Sequence, residues 1–229
     1  MFKTIAVSGL ALLALTACSK KDEGQSQGAG YGASTEAVAD KGVQALSCGV
    51  PVTKDMTADM ILKAFPGNAK KEAVPGPEGS TENAVVIYPD DPARKVIVTF
   101  WDAAQTKVAD VSIGDEAVQW YGPGNIRVGS KLKDVETANG GPLTMYGFEW
   151  DYGGYASDFQ GGKLNTLDGG CVLSLRFSPP KGHNEALTSD IVGDQQIPST
   201  NANLQALQPV VSRLSVGWPS PEAATANPQ

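Results

Sequence analysis

Residues 126–164 read IRVGSKLKDVETANGGPLTMYGFEWDYGGYASDFQGGKL. A helix signal and a strand signal follow one another here, so this stretch decides the fold class. Leu132, Val135 and Ala138 fall three apart, the spacing of one helix face. Asn139-Gly140-Gly141-Pro142 ends that helix, and Ser130 is placed to cap its first turn. Phe148 to Tyr152 then alternates strictly. On a strand, Phe148, Trp150 and Tyr152 would share one face and Glu149 and Asp151 the other. Tyr155 to Phe159 predicts a second strand, and Cys171 to Phe177 a third after a turn at Gly161-Gly162.

The same order of elements occurs upstream. Asp55 to Asp59 opens a helix carrying Met60, Ile61, Ala64 and Phe65 at helical spacing, and Pro66-Gly67 stops it. Strands follow at Ala84–Tyr88 and Lys95–Trp101, with a turn at Pro89–Pro92 between them. The closing strands match best: Val108–Gly114 and Val211–Gly217 both read V-x-x-[VL]-S-[IV]-G. The expected fold is therefore α+β, built from two diverged helix-plus-antiparallel-sheet units. The first spans 48–122 and the second 123–218, with a loop-rich insertion at 178–206. Trp101 is expected in the core and Trp120 at a hinge. Residues 219–229 are Pro- and Ala-rich and read as a disordered tail.

The chain opens with Met1-Phe2-Lys3 and an apolar run, Thr4 to Leu15, too short to span a bilayer, and ends that run in Leu15-Thr16-Ala17-Cys18. This resembles the lipobox of bacterial lipoproteins; the alternative is an ordinary secretory signal with a chance cysteine. The resemblance implies a signal peptide at 1–17 that is cleaved before Cys18. It also implies acyl chains such as palmitate on that cysteine, and Ser19 after it implies sorting to the outer membrane. Several chains on one residue make a stable membrane anchor. Residues 18–47 begin with a Gly-, Ser- and Gln-rich tether reaching on the order of 25–30 Å as a random coil; Thr35 to Leu46 could form a short helix.

Lipidation of Cys18 leaves two of the three cysteines, Cys48 and Cys171. In an oxidising compartment they read as one disulfide, the alternative being two free buried thiols. With one histidine, His183, a zinc site has too few ligands, and no cofactor is expected. Removing Lys3 with the signal leaves 18 − 1 = 17 basic against 25 acidic residues, a balance of −8. Such acidity disfavours nucleic acid and a polybasic hold on lipid heads.

Three chemistries can be weighed. Glu149 and Asp151, joined by Asp158, could serve glycoside hydrolysis, although any acidic pair two apart on a strand gives the same spacing. A Ser-His-Asp set would have to use His183, in the loop Pro179–His183. The glycine pairs never form a phosphate loop. The aromatic run Tyr146–Phe159 has six aromatic residues among glycines, and exposed rings there suit a sugar or a protein hot spot. Trp150, Tyr152 and Tyr155 are the candidate partner-binding residues; the competing role for them is core packing.

The helix entry I-x-V-G-x-x-L-x-x-V at Ile126–Val135, leading into an antiparallel meander, resembles one known group. These are the small helix-then-sheet domains of the β-lactamase inhibitor protein fold, which recur in outer-membrane assembly lipoproteins. The resemblance implies a binding module; the aromatic run and the insertion have no counterpart in it. The expected protein is a non-enzymatic lipoprotein, anchored to the outer membrane and facing the periplasm. It would bind an envelope protein or peptidoglycan glycan. The alternatives are a cell-wall glycan hydrolase and a structural scaffold of an outer-membrane complex.

Overall fold

Thr57 starts the first helix: its hydroxyl accepts from the Met60 amide at 3.2 Å, satisfying one of the free N–H groups of the first turn. The computed structural model describes residues 42–221. The signal peptide, Cys18, most of the tether and the last eight residues of the tail lie outside the described residues. In chain order the elements are β1 (Gln44–Ala45), α1 (Ala58–Ala64), β2 (Ala69–Pro75), β3 (Thr81–Ile87), β4 (Val96–Phe100), β5 (Val108–Gly114) and β6 (Trp120–Tyr121). There follow α2 (Leu132–Asn139), β7 (Thr144–Tyr146), β8 (Ala156–Asp158), β9 (Val172–Ser178), β10 (Gln196–Pro198), α3 (Ala202–Leu207) and β11 (Val210–Gly217). The fold is α+β, with its two larger sheets antiparallel.

The main sheet has six strands in the order β2-β3-β4-β5-β11-β9, and a smaller one runs β10-β7-β8. Period-2 alternation gives the main sheet two unlike faces. One carries a ladder of paired aliphatic residues, Val85, Val98, Val111, Val216 and Leu173, each at most 3% exposed. With Ile61, Leu132, Val135 and Leu204 from the helices they belong to one continuous core. Each such side chain contributes about 1.5–3 kcal/mol on full burial. The next ladder, on the opposite face, runs Val86, Ile97, Ser112, Ser215 and Ser174. That face turns polar toward β11 and β9.

β5 and β11 pair about Ser112↔Ser215, with Asp110↔Gly217 on one side and Gly114↔Arg213 on the other. The matching motif positions therefore meet in a register that reads the same from either strand. Both outer neighbours also shift at corresponding places. The β4 partners skip Ala109 and the β9 partners skip Ser212, which occupy the same position in the motif.

Several expectations need correction. Phe148–Tyr152 is not a strand but a turn between β7 and β8, because Glu149 takes a positive φ of 67°. The cap of α2 is Lys131, whose amide donates to Asp134 at 3.0 Å, while Ser130 accepts from the Arg127 amide. Residues 42–46 are not helical: β1 pairs in parallel with β6 and Leu46 is buried, so packing begins before Cys48. Trp101 is 49% exposed and so not in the core, whereas Trp120 is buried in it, donating to the Arg94 carbonyl. Within 178–206 lie β10 and most of α3, and β10 pairs with β7. β2 was not anticipated: AKKEAVP lacks an apolar face because this strand is an edge of the sheet, where charge discourages further pairing.

Asn139, at the end of α2, is 1% exposed and fully used. Its amide nitrogen donates to the Phe159, Pro142 and Gly141 carbonyls, and its oxygen accepts from the Leu164 amide. Asn139→Ala would leave these buried groups unpaired. A loss of about 2–3 kcal/mol is expected, read as a lower urea midpoint with unchanged slope.

Candidate functional site

A cleft of about 560 Å³ opens beside the polar end of the main sheet. Arg176 of β9 and Arg213 of β11 line it, on strand positions adjacent to the core residues Leu175 and Leu214 and hence on the opposite face. One wall is the 148–154 turn, through Phe148, Glu149 and Gly153; the other is the segment after β9, through Pro179 and His183.

Arg176 and Arg213 are direct cross-strand partners. Nε of Arg176 donates to the Gly153 carbonyl at 2.8 Å, and its guanidinium sits 5.2 Å from the centroid of the Tyr155 ring. The backbone makes a second tie, since the Phe177 amide donates to the Gly154 carbonyl at 2.8 Å. Together these contacts hold the turn against β9. Arg213 donates to the Ser112 hydroxyl at 2.8 Å and lies 3.8 Å from Asp110. With Arg213 41% exposed, that ion pair is worth little on its own. Beneath the bulge, Ser178 donates to Ser212 and Ser212 to the Arg176 carbonyl. His183 Nδ1 faces the Pro180 carbonyl at 3.0 Å; a carbonyl only accepts, so that nitrogen carries the proton.

Burial raises the Asp110 carboxyl above its ordinary value of 3.8, and the Glu82 charge adds to this. Hydrogen bonds from Ser215 and Ser112 and the charge of Arg213 act in the opposite direction. Between the ordinary and the raised value the folded chain binds more protons than the unfolded one. Stability from this group is therefore complete below the ordinary value and is lost as pH rises through the raised one. Asp110→Asn should remove that slope, checked by comparing thermal midpoints of the two proteins from about pH 3 to pH 7.

The three aromatic candidates are placed unequally. Tyr152 is 48% exposed, whereas Trp150 and Tyr155 are half-buried. Trp150 donates to the Gly147 carbonyl at 2.9 Å, and its ring meets Tyr146 and Tyr152 edge-on at 5.6 and 5.4 Å. This ladder stiffens the wall and presents Tyr152 outward. The carboxylates do not gather. Exposed Glu149 lines the cleft, exposed Asp151 is not on a strand face with it, and Asp158 accepts from the Gln160 amide at 2.7 Å. Among the described residues no three His, Cys, Asp or Glu side chains are grouped to hold a metal. Cys48 and Cys171 form a disulfide with Cα atoms 5.6 Å apart.

Sequence reasoning missed Arg176 and Arg213. Each is a charge inside an aliphatic strand, SLRFS and VSRLS, which marks the polar face; their meeting depends on the pairing of β9 with β11. No protein-family model, curated protein or solved structure matches the chain.

Proposed function

We propose that this chain is a lipid-anchored, non-enzymatic lipoprotein of the outer membrane that binds a protein or glycan partner in the periplasm. Cys18 carries the anchor and the tether keeps the partner near the membrane. The sheet is read as two diverged copies of one unit, supported by the matched bulges and the self-symmetric register of β5 and β11. The observation that carries the binding reading is the aromatic turn, which holds Tyr152 half-exposed while its Phe148, Glu149 and Gly153 form one wall of an open cleft. Exposed aromatic rings on a fixed backbone lose little entropy when covered, which suits a contact surface. Glu149 and Asp151, needed as a strand-face pair for glycan hydrolysis, lie in a turn and share no strand face. Among the described residues no helix is long and apolar enough to cross a membrane, which is neutral for a lipid anchor.

The test is photocrosslinking in intact cells from position 152, with the exposed Val118 as control. A discrete adduct from 152 alone, either a protein or muramidase-sensitive material, is expected. Equal labelling from both positions, or none from 152, would refute the reading.

A further inference from the structure

We infer that the cleft is a carboxylate-binding site, in which Arg176 and Arg213 together clasp a carboxylate of a peptide partner. The inference rests on the partner-binding reading above and adds the chemistry of the ligand. It starts from an unfavourable arrangement. Like charges directly opposite each other on neighbouring strands repel, and Arg176 and Arg213 are such a pair. Asp110 engages only one of them, at 3.8 Å, and among the described residues Arg176 has no carboxylate partner.

The matched register shows that the scaffold does not require these charges. The positions corresponding to Arg176 and Arg213 on β4 and β5 are Thr99 and Asp110, themselves cross-strand partners. Around them the packing residues correspond closely: Phe100 with Phe177, Val98 with Leu175, Val111 with Leu214, Ser112 with Ser215. Side-chain character, aromatic, aliphatic or hydroxyl, is kept at equivalent places while the charges differ. Two arginines therefore pair across the strands, both lining the cleft, where the same backbone elsewhere carries Thr and Asp. A bound anion removes the repulsion, and a guanidinium fork matches the planar geometry of a carboxylate.

The surroundings favour one carboxylate on a peptide over a polyanion. Exposed Glu149 and Asp115 flank the cleft, so a second negative charge is repelled while an amine of the same ligand is accepted. Nε of Arg176 is already fixed by the Gly153 carbonyl, which orients the remaining N–H groups without further ordering cost. The volume of the cleft, about 560 Å³, is that of a site for a small ligand or chain end.

Fluorescence anisotropy with the full chain in detergent micelles tests this. The probes are labelled Ala-Ala-Ala with a free C-terminus, the same peptide amidated, and amidated Ala-Glu-Ala. The free acid should bind about tenfold more tightly than its amide, and the preference should weaken with salt. Whether Ala-Glu-Ala amide binds as well tells a side-chain carboxylate from a terminal one. Arg213→Gln, which leaves the bond to Gly153 in place, should abolish the preference; Arg176→Lys should reduce it by keeping charge without the fork. Equal binding of acid and amide, or an undiminished preference in Arg213→Gln, overturns the inference. If Tyr152 still crosslinks a partner in cells after that result, only the ligand chemistry has failed; a preference for the acid without a crosslink would instead sink the partner reading.

Discussion

Reducing the Cys48–Cys171 bond is expected to destabilise the protein by about 4–5 kcal/mol, the largest effect of any single covalent change. The bond joins residues 123 apart, and releasing so long a loop restores much conformational freedom to the unfolded chain. Cys171 is buried and immediately precedes β9, the strand that carries Arg176. Cys48 follows β1, where the packed part of the chain begins. The bond thus fastens the entry of the fold to the strand that forms the cleft. For a domain of this size the thermal midpoint should fall by about 10–20 °C. Thermal unfolding with and without dithiothreitol, and of Cys48→Ser with Cys171→Ser, measures it. An unchanged midpoint would show that the bond does not constrain the unfolded chain.

Legibility from sequence followed the physics of each element. β5 was read residue for residue, and β4, β9 and β11 to within one residue at each end, because β-branched and aliphatic residues alternate on half-buried strands. β2 escaped because Lys70, Lys71 and Glu72 sit on an edge, where burial leaves no period to detect. The error at Phe148–Tyr152 is of another kind. Its alternation was perfect, yet periodicity describes side-chain direction only on an extended backbone, and the positive φ of Glu149 breaks that condition. The pairing of Cys48 with Cys171 was legible because the lipobox-like context of Cys18 sets that third cysteine apart. The arginine pair was not, since strand register is a long-range property that neither SLRFS nor VSRLS carries alone. Of the tyrosines in the aromatic run, Tyr152 is exposed, while Tyr155 is partly covered and faces Arg176.

Gly154→Ala is expected to cost about 3 kcal/mol and to disable the cleft while the rest of the main sheet persists. Gly154 has a φ of +79°, a left-handed conformation that costs an L side chain about 1 kcal/mol or more. A Cβ there would also collide with the carbonyl oxygen of Phe177, which is backbone and cannot swing aside, and would crowd the Phe148 ring at 3.3 Å. The damage falls on a junction. Gly154 accepts from the Phe177 amide and donates to the Tyr146 and Gly147 carbonyls, so it ties β9 to the strand on the other side of the turn. Pushing it away withdraws the Gly153 carbonyl from Arg176 and slides Tyr155 from beneath the guanidinium. The strands β2 to β5 share none of these contacts and should keep their pairing. Gly170→Ala separates strain from collision: Gly170 has a φ of +71° but nothing within 4 Å of a Cβ, so only the conformational cost of about 1 kcal/mol should appear. Urea midpoints of both variants, with tryptophan emission that includes Trp150 of the turn, make the comparison. Equal losses in the two would show that the Gly154 junction does not hold the wall of the cleft. A threefold larger loss at 154, with altered tryptophan emission before global unfolding, is the result that the close approach of the two backbones requires.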